Sequence, residues 1–137
     1  MPIKSFDFAK GRTVDLDRRR AIFAEAAADD ENTTVLIHMM KELKIQIIGK
    51  ATEERHVEEM VRKFHTGMLF LDLANPKIDA FALLARVRRR YPEMSVILTS
   101  KEANKEVIAK SIKYGAAGFL LIPYQRDVVA KLVERLD

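Results

Sequence analysis

Four short apolar runs punctuate the chain: Ile45-Gln46-Ile47-Ile48, Met68-Leu69-Phe70-Leu71, Ser95-Val96-Ile97-Leu98 and Gly118-Phe119-Leu120-Leu121-Ile122. They begin roughly 23–27 residues apart, which leaves room for one helix and two loops, the spacing of βαβ units around a parallel sheet. The runs are apolar rather than alternating, so helices should cover both faces of that sheet. The intervening segments have the helical period. Val57, Met60, Val61 and Phe64 fall at i, i+3, i+4 and i+7 behind Thr52 as N-cap, with Glu53 and Glu54 favouring the dipole of the first turn. Phe81, Leu84 and Val87 repeat the pattern after Asp79 and end in Arg88-Arg89-Arg90 before Tyr91-Pro92. Ile108 and Ile112 mark a helix that stops before Gly115, and Val129, Leu132, Val133 and Leu136 mark the last one, bounded by Arg126 and Asp137. Leu36, Met39, Met40 and Leu43 complete the set of helices. The first strand is the least marked and is expected at Ala21 to Ala26, although Ala and Glu favour helix there.

Composition narrows the class. The 137 residues, 48% hydrophobic and 32% charged, suit one compact core and exclude a disordered chain. The absence of cysteine removes disulfide frameworks, thiol nucleophiles and zinc knuckles, and agrees with a reducing compartment. The longest apolar stretch, Ala116 to Ile122, is far short of the ~20 residues that cross a bilayer. The start has no continuous apolar segment, so the cytoplasm is the expected location. The net charge of +4 is spread along the chain, and no helix-turn-helix pattern or aromatic interleaving accompanies it. Nucleic acid and membranes are therefore disfavoured as partners.

In an open parallel sheet, ligands gather at the C-terminal strand ends. The loops concerned are Ala27 to Asn32, Gly49 to Thr52, Asp72 to Asp79, Thr99 to Ala103 and Pro123 to Gln125. They contain no GxGxxG and no GxxxxGK[ST], which argues against a dinucleotide enzyme or P-loop NTPase.

Three segments in order carry a more specific signal: Met68 to Asp79 with Asp72 and Pro76, Ser95 to Ser100 with Thr99, and Lys113 to Tyr124 with Gly115-Ala116-Ala117-Gly118-Phe119 and Pro123. In them the chain resembles, from about Arg20 to Leu136, the receiver domain of bacterial response regulators. The resemblance implies a flavodoxin-like (βα)5 three-layer sandwich with a five-stranded parallel sheet in the order 2-1-3-4-5. Residues 20–137 would form that domain and residues 1–19 an N-terminal extension. It implies Asp72 as phosphoacceptor, since a carboxylate can attack phosphorus and hold a mixed anhydride. Thr99 would hydrogen-bond the phosphoryl oxygen, Phe119 would be the aromatic switch, and Pro123 would follow a cis peptide bond. The face of the fourth helix, fifth strand and fifth helix, with Lys105, Lys110, Lys113, Arg126 and Lys131, would meet a partner or a second copy. The partners implied are a histidine kinase and an effector or downstream target.

The departures matter equally. Receivers place two acids after the first strand to hold Mg²⁺, but an ungapped count from Ala51 and Asp72 puts Ala27 and Ala28 there, and alanine cannot ligate a hard cation. The lysine before Pro123 is replaced by Ile122, which removes the cation that would neutralise a phosphoryl group. Asp29 and Asp30 are the remaining metal candidates if the register shifts; otherwise they start a helix, with Asp30 or Asn32 as its cap. Mg²⁺ binding is accordingly expected to be weak or lost. The leading expectation is a non-enzymatic, atypical receiver acting through protein contacts. A working phosphoacceptor using Asp29 or Asp30, and a small flavodoxin-like nucleotide-binding protein or enzyme, are the alternatives.

The other candidates have plainer explanations. Asp72 and Thr99, taken singly, are polar strand-end residues. His56 and Glu59 lie three apart on one helix without a second ligand pair, which suits a solvated face better than a metal site. Tyr114 and Tyr124 near the output face are either partner anchors or edge packing.

Overall fold

The computed structural model describes residues 4–7, 12–15 and 18–136. Two short strands, β1 (Lys4–Asp7) and β2 (Arg12–Asp15), pair antiparallel as a separate two-stranded sheet that precedes the main one in the chain. The main sheet comprises β3 (Arg20–Ala24), β4 (Gln46–Ala51), β5 (Gly67–Asp72), β6 (Met94–Ser100) and β7 (Gly118–Leu121). All its pairings are parallel and its order is β4-β3-β5-β6-β7, the 2-1-3-4-5 arrangement counted from β3. The helices are α1 (Glu31–Glu42), α2 (Glu54–Lys63), α3 (Ala80–Arg90), α4 (Lys105–Lys113) and α5 (Arg126–Leu136). Their number and order match the periodicity, and none is long and apolar enough among the described residues to cross a membrane.

Alternation within each buried strand builds two cores. Ile22, Ala24, Leu69, Leu71, Val96 and Leu98 face α2 and α3, meeting Val57, Val61, Leu83, Leu84 and Val87. Ala21, Phe23, Met68, Phe70 and Ile97 face the other way, onto Leu36, Met39 and Met40 of α1 and Val129, Leu132 and Val133 of α5. Phe23 and Phe70 stack at 5.2 Å on this second face. Every residue of β5 is buried, as the central strand of a doubly covered sheet requires. Gly67 enters β5 at φ +96°, and a Cβ there would strike the Arg20 carbonyl of the adjacent strand. Only glycine fits that entry.

Three local expectations are corrected. The first core strand ends at Ala24 rather than Ala26, because the chain turns at residues 26–29 before α1. The N-cap of α2 is Glu53, without a side-chain cap bond, and not Thr52; the carbonyl of Thr52 is committed to Asn75 instead. Ile112 does not join a core but is 73% exposed. Asp79 and Asp30 do cap α3 and α1, accepting from the backbone N–H groups of Ala82 and Thr33.

Candidate functional site

The strand ends bring Asp72, Thr99 and Glu25 to one rim of the sheet. Asp72 closes β5 and is paired in register with Thr99 of β6. Leu73 N–H donates to the Thr99 carbonyl at 3.0 Å, so the chain leaves β5 still tied to its neighbour. Both side chains are buried. Asp72 Oδ1 accepts the Ala74 N–H at 2.9 Å, a local turn that fixes the carboxylate. Burial pushes the Asp72 pKa up, the Ala74 N–H opposes this, the Asp30 charge raises it further and Lys101 lowers it.

Glu25 follows β3 directly, one position beyond the Ala24–Leu71 pair. It therefore lies level with Asp72, which moves the acid position two residues upstream of the Ala27 and Ala28 given by the ungapped count. The reason is the length of the turn between Ala24 and Glu31. Glu25 is 3% exposed. Its Oε1 accepts the Asp30 N–H at 3.1 Å, and its Oε2 lies 3.9 Å from Lys50 Nζ. The next residue, Ala26, offers no side-chain oxygen. Asp29 sits at φ +55°, its side chain 95% exposed, and meets the same Lys50 Nζ at 3.4 Å. Asp30 Oδ2 is committed to the α1 cap, taking the Thr33 N–H at 3.0 Å.

Asn75 ties the rim together. Its amide donates to the carbonyls of Glu25 and Thr52 at 2.9 and 2.8 Å, and its Oδ1 accepts the Lys77 N–H at 2.8 Å. On the far side Ile122 is 8% exposed, its N–H donates to the Ser100 carbonyl at 2.8 Å, and the Ile122–Pro123 peptide bond is cis. Tyr124 turns its ring against the α1/α5 core. Burial pushes its hydroxyl pKa up to about 12, against the hydrogen bond from Thr99, while the charges of Asp72 and Asp30 add to the rise. Tyr124 thus shares the neighbourhood of Thr99 and Asp72. Phe119 is half-buried against the α2/α3 core.

These residues do not fit a Mg²⁺ ion. That ion wants near-octahedral oxygens at about 2.0–2.1 Å, and among the described residues no group of three His, Cys, Asp or Glu converges to hold a metal. Glu25 is shared between a backbone N–H and an ammonium, Asp30 caps a helix, and Asp29 turns outward. His56 and Glu59 lie on an open groove of about 420 Å³ with Glu25 and Lys50, without forming a ligand set. What remains at Asp72 is a buried carboxylate next to Thr99 in the sheet register. Phosphoryl transfer depends on positioning and on charge neutralisation; here the Ala74 N–H fixes the Asp72 carboxylate, and Lys101 is the cation whose charge lowers its pKa.

Sequence reasoning brought Asp72, Thr99, Ile122 and Pro123 to one region, and it missed Glu25, Lys50 and Asn75. The apolar run Ala21-Ile22-Phe23-Ala24 followed at once by an acid was the available signal for Glu25. Lys50, and the Asn75 amide that ties Glu25 to Thr52, act through residues distant in sequence, so no local pattern marks those roles.

Comparison with known proteins agrees with this fold. The family model described as response regulator receiver domain matches residues 27–134. Chemotaxis protein CheY of Listeria monocytogenes is 22% identical over 102 residues, covering 74% of this chain and 86% of that protein. A response regulator from Thermotoga maritima superposes with a TM-score of 0.73 at 20% identity, over 85% of this chain and 95% of that one. Chemotaxis protein CheY4 of Vibrio cholerae gives 0.75 at 16% identity, over 86% and 98%.

Proposed function

The chain belongs to the response regulator receiver domain family, and from that premise we propose that it is an atypical receiver of two-component signalling in which phosphorylation at Asp72 is impaired or lost. The observation that carries this reading is the pairing of a buried Asp72 with a buried Ile122 where the family places lysine. An ammonium there would neutralise the phosphoryl group; a branched alkane cannot. The second family acid is Ala26, and the first, Glu25, is already bonded.

Output then runs through protein contacts, without an enzymatic step and in the cytoplasm. The face of α4, β7 and α5 suits this role. It exposes Ile112 (73%), Leu121 (51%) and Val128 (47%) beside a groove of about 330 Å³ lined in part by Ile108, Phe119 and Pro123. Lys105, Lys110, Lys113, Arg126 and Lys131 lie on the same two helices. Exposed apolar residues on such a face fit a protein partner, whether kinase, effector or a second copy, while Lys110 lies over the Phe81 ring and Arg126 pairs with Glu42. Residues 20–137 would form this module and residues 1–19 an appended segment.

One observation favours a working site: the Asp30 charge is felt at Asp72, as an acid pair would be. Incubation with acetyl phosphate followed by intact-mass measurement tests the choice. The proposal expects no phosphoryl adduct; an adduct lost in Asp72→Ala would overturn it in favour of Asp29 or Asp30 serving Mg²⁺.

A further inference from the structure

We propose that the Lys50 ammonium is a built-in counter-ion that takes the charge-neutralising place of a divalent cation at Glu25. The inference rests on the reading of the site as atypical and deepens it by saying what replaced the metal.

Glu25 is a carboxylate 3% exposed at a strand end. A buried charge must be paired and hydrogen-bonded or its burial becomes very costly. Oε1 has a backbone donor in Asp30. Oε2 has one cation, Lys50, at 3.9 Å. Lys50 reaches it because β4 lies beside β3 in register, with Phe23 opposite Lys50 and Ala24 opposite Ala51, and because Glu25 N–H donates to the Ala51 carbonyl at 3.0 Å. The Lys50 side chain is 36% exposed, so its stem rises over the strand end with its ammonium at the rim. There it also meets Asp29 Oδ1 at 3.4 Å, and Asp29 adopts the left-handed backbone at φ +55°. Aspartate is among the few residues that tolerate this conformation.

One cation therefore bridges a buried and an exposed carboxylate across the loop, as a metal ion would. It does so from 3.9 and 3.4 Å, on a tether that cannot dissociate. Its charge serves Glu25 and Asp29; the cation felt at Asp72 is Lys101. A dication approaching Glu25 would meet the Lys50 charge first. Ala26 and Ile122 take away ligands, whereas Lys50 adds a competitor.

The test uses the full chain and Mn²⁺ as a paramagnetic probe, read by broadening of backbone amides, in wild type, Lys50→Met and Lys50→Met with Glu25→Gln. Lys50→Met should bring half-broadening of the amides around Glu25, Asp30 and Asp72 at a Mn²⁺ concentration at least tenfold lower than in wild type. Adding Glu25→Gln should abolish the gain. Thermal unfolding of the same proteins gives an independent reading: Lys50→Met should lower Tm, and the double variant should recover most of the loss, because it no longer buries an unpaired carboxylate. Equal Mn²⁺ responses in wild type and Lys50→Met, or additive Tm changes, would overturn the assignment. Phosphorylation of the wild type by acetyl phosphate, with both Lys50 results as expected, would instead overturn the impaired-site reading and leave the counter-ion in place.

Discussion

Truncating Asn75 to alanine should remove about 3 kcal/mol of stability. The side chain is 4% exposed and makes three hydrogen bonds, to the carbonyls of Glu25 and Thr52 and from the N–H of Lys77. Alanine deletes all three and leaves two carbonyls and one N–H without a partner. A hydrogen bond contributes about 0.5–1.5 kcal/mol net, and a buried group left unpaired costs about 1–3. Taking about 1 kcal/mol for each gives the total. The upper end is not reached, because the Thr52 and Lys77 bonds are only part-buried and water can replace them. Urea denaturation at pH 7 is the assay. With an m-value of about 2 kcal/mol per molar, the midpoint should fall by about 1.5 M with the slope unchanged. Asn75→Asp separates hydrogen bonding from packing. It keeps the acceptor for Lys77 but points a carboxylate at two carbonyl oxygens, so it should lose at least as much at pH 7 and recover part below about pH 4, where the acid can donate. A loss under about 0.5 kcal/mol for Asn75→Ala would refute the claim that this side chain clamps the ends of β3 and β4 to the loop after β5.

Asp72→Asn should stabilise the protein at neutral pH by on the order of 1 kcal/mol while changing little at pH 3. The folded carboxyl has its pKa raised, chiefly by burial. Below the ordinary carboxylate value both states are protonated; as pH rises towards the folded value the unfolded chain loses its proton first and wild-type stability falls. Paired melts of the two proteins from pH 3 to 7 would show the gap opening upward, and a gap that closes with rising pH would contradict the assignment. Gly67→Ala should cost about 2 kcal/mol in chemical denaturation, because it combines a positive φ with a clash on the Arg20 carbonyl. Leu121→Asp, at a position 51% exposed, should leave Tm within experimental scatter and abolish self-association or partner capture through the α4–β7–α5 face, as read by sedimentation velocity.

The sheet and its helices were legible because their signals are local. The runs at 68–71, 96–98 and 119–122 are apolar, as strands that pack against helices must be, and Asp79 and Gly115 bracket helices through chemistry visible in the residue itself. The first core strand was less legible, since Ala24-Glu25-Ala26 carries no strand preference and its boundary is set by pairing with β4 and β5. That two-residue uncertainty hid Glu25, whose importance depends on lying level with Asp72. Ile112 misled in the opposite direction: its helical spacing marks α4 correctly, yet its side chain faces outward. Lys50 and Asn75 were out of reach because their roles are defined by atoms 25 and 50 residues away along the chain.

On the proposed reading, Asp72 sits in a receiver fold without the charges that phosphoryl transfer requires. Backbone-amide NMR titration with Mg²⁺ and then beryllofluoride, on wild type and Asp72→Ala, tests it most directly. Neither ligand should move the amides of Asp72, Thr99 and Phe119 in either protein. Saturable shifts at those three amides in the wild type that vanish in Asp72→Ala would contradict it and make this domain a phosphorylation switch.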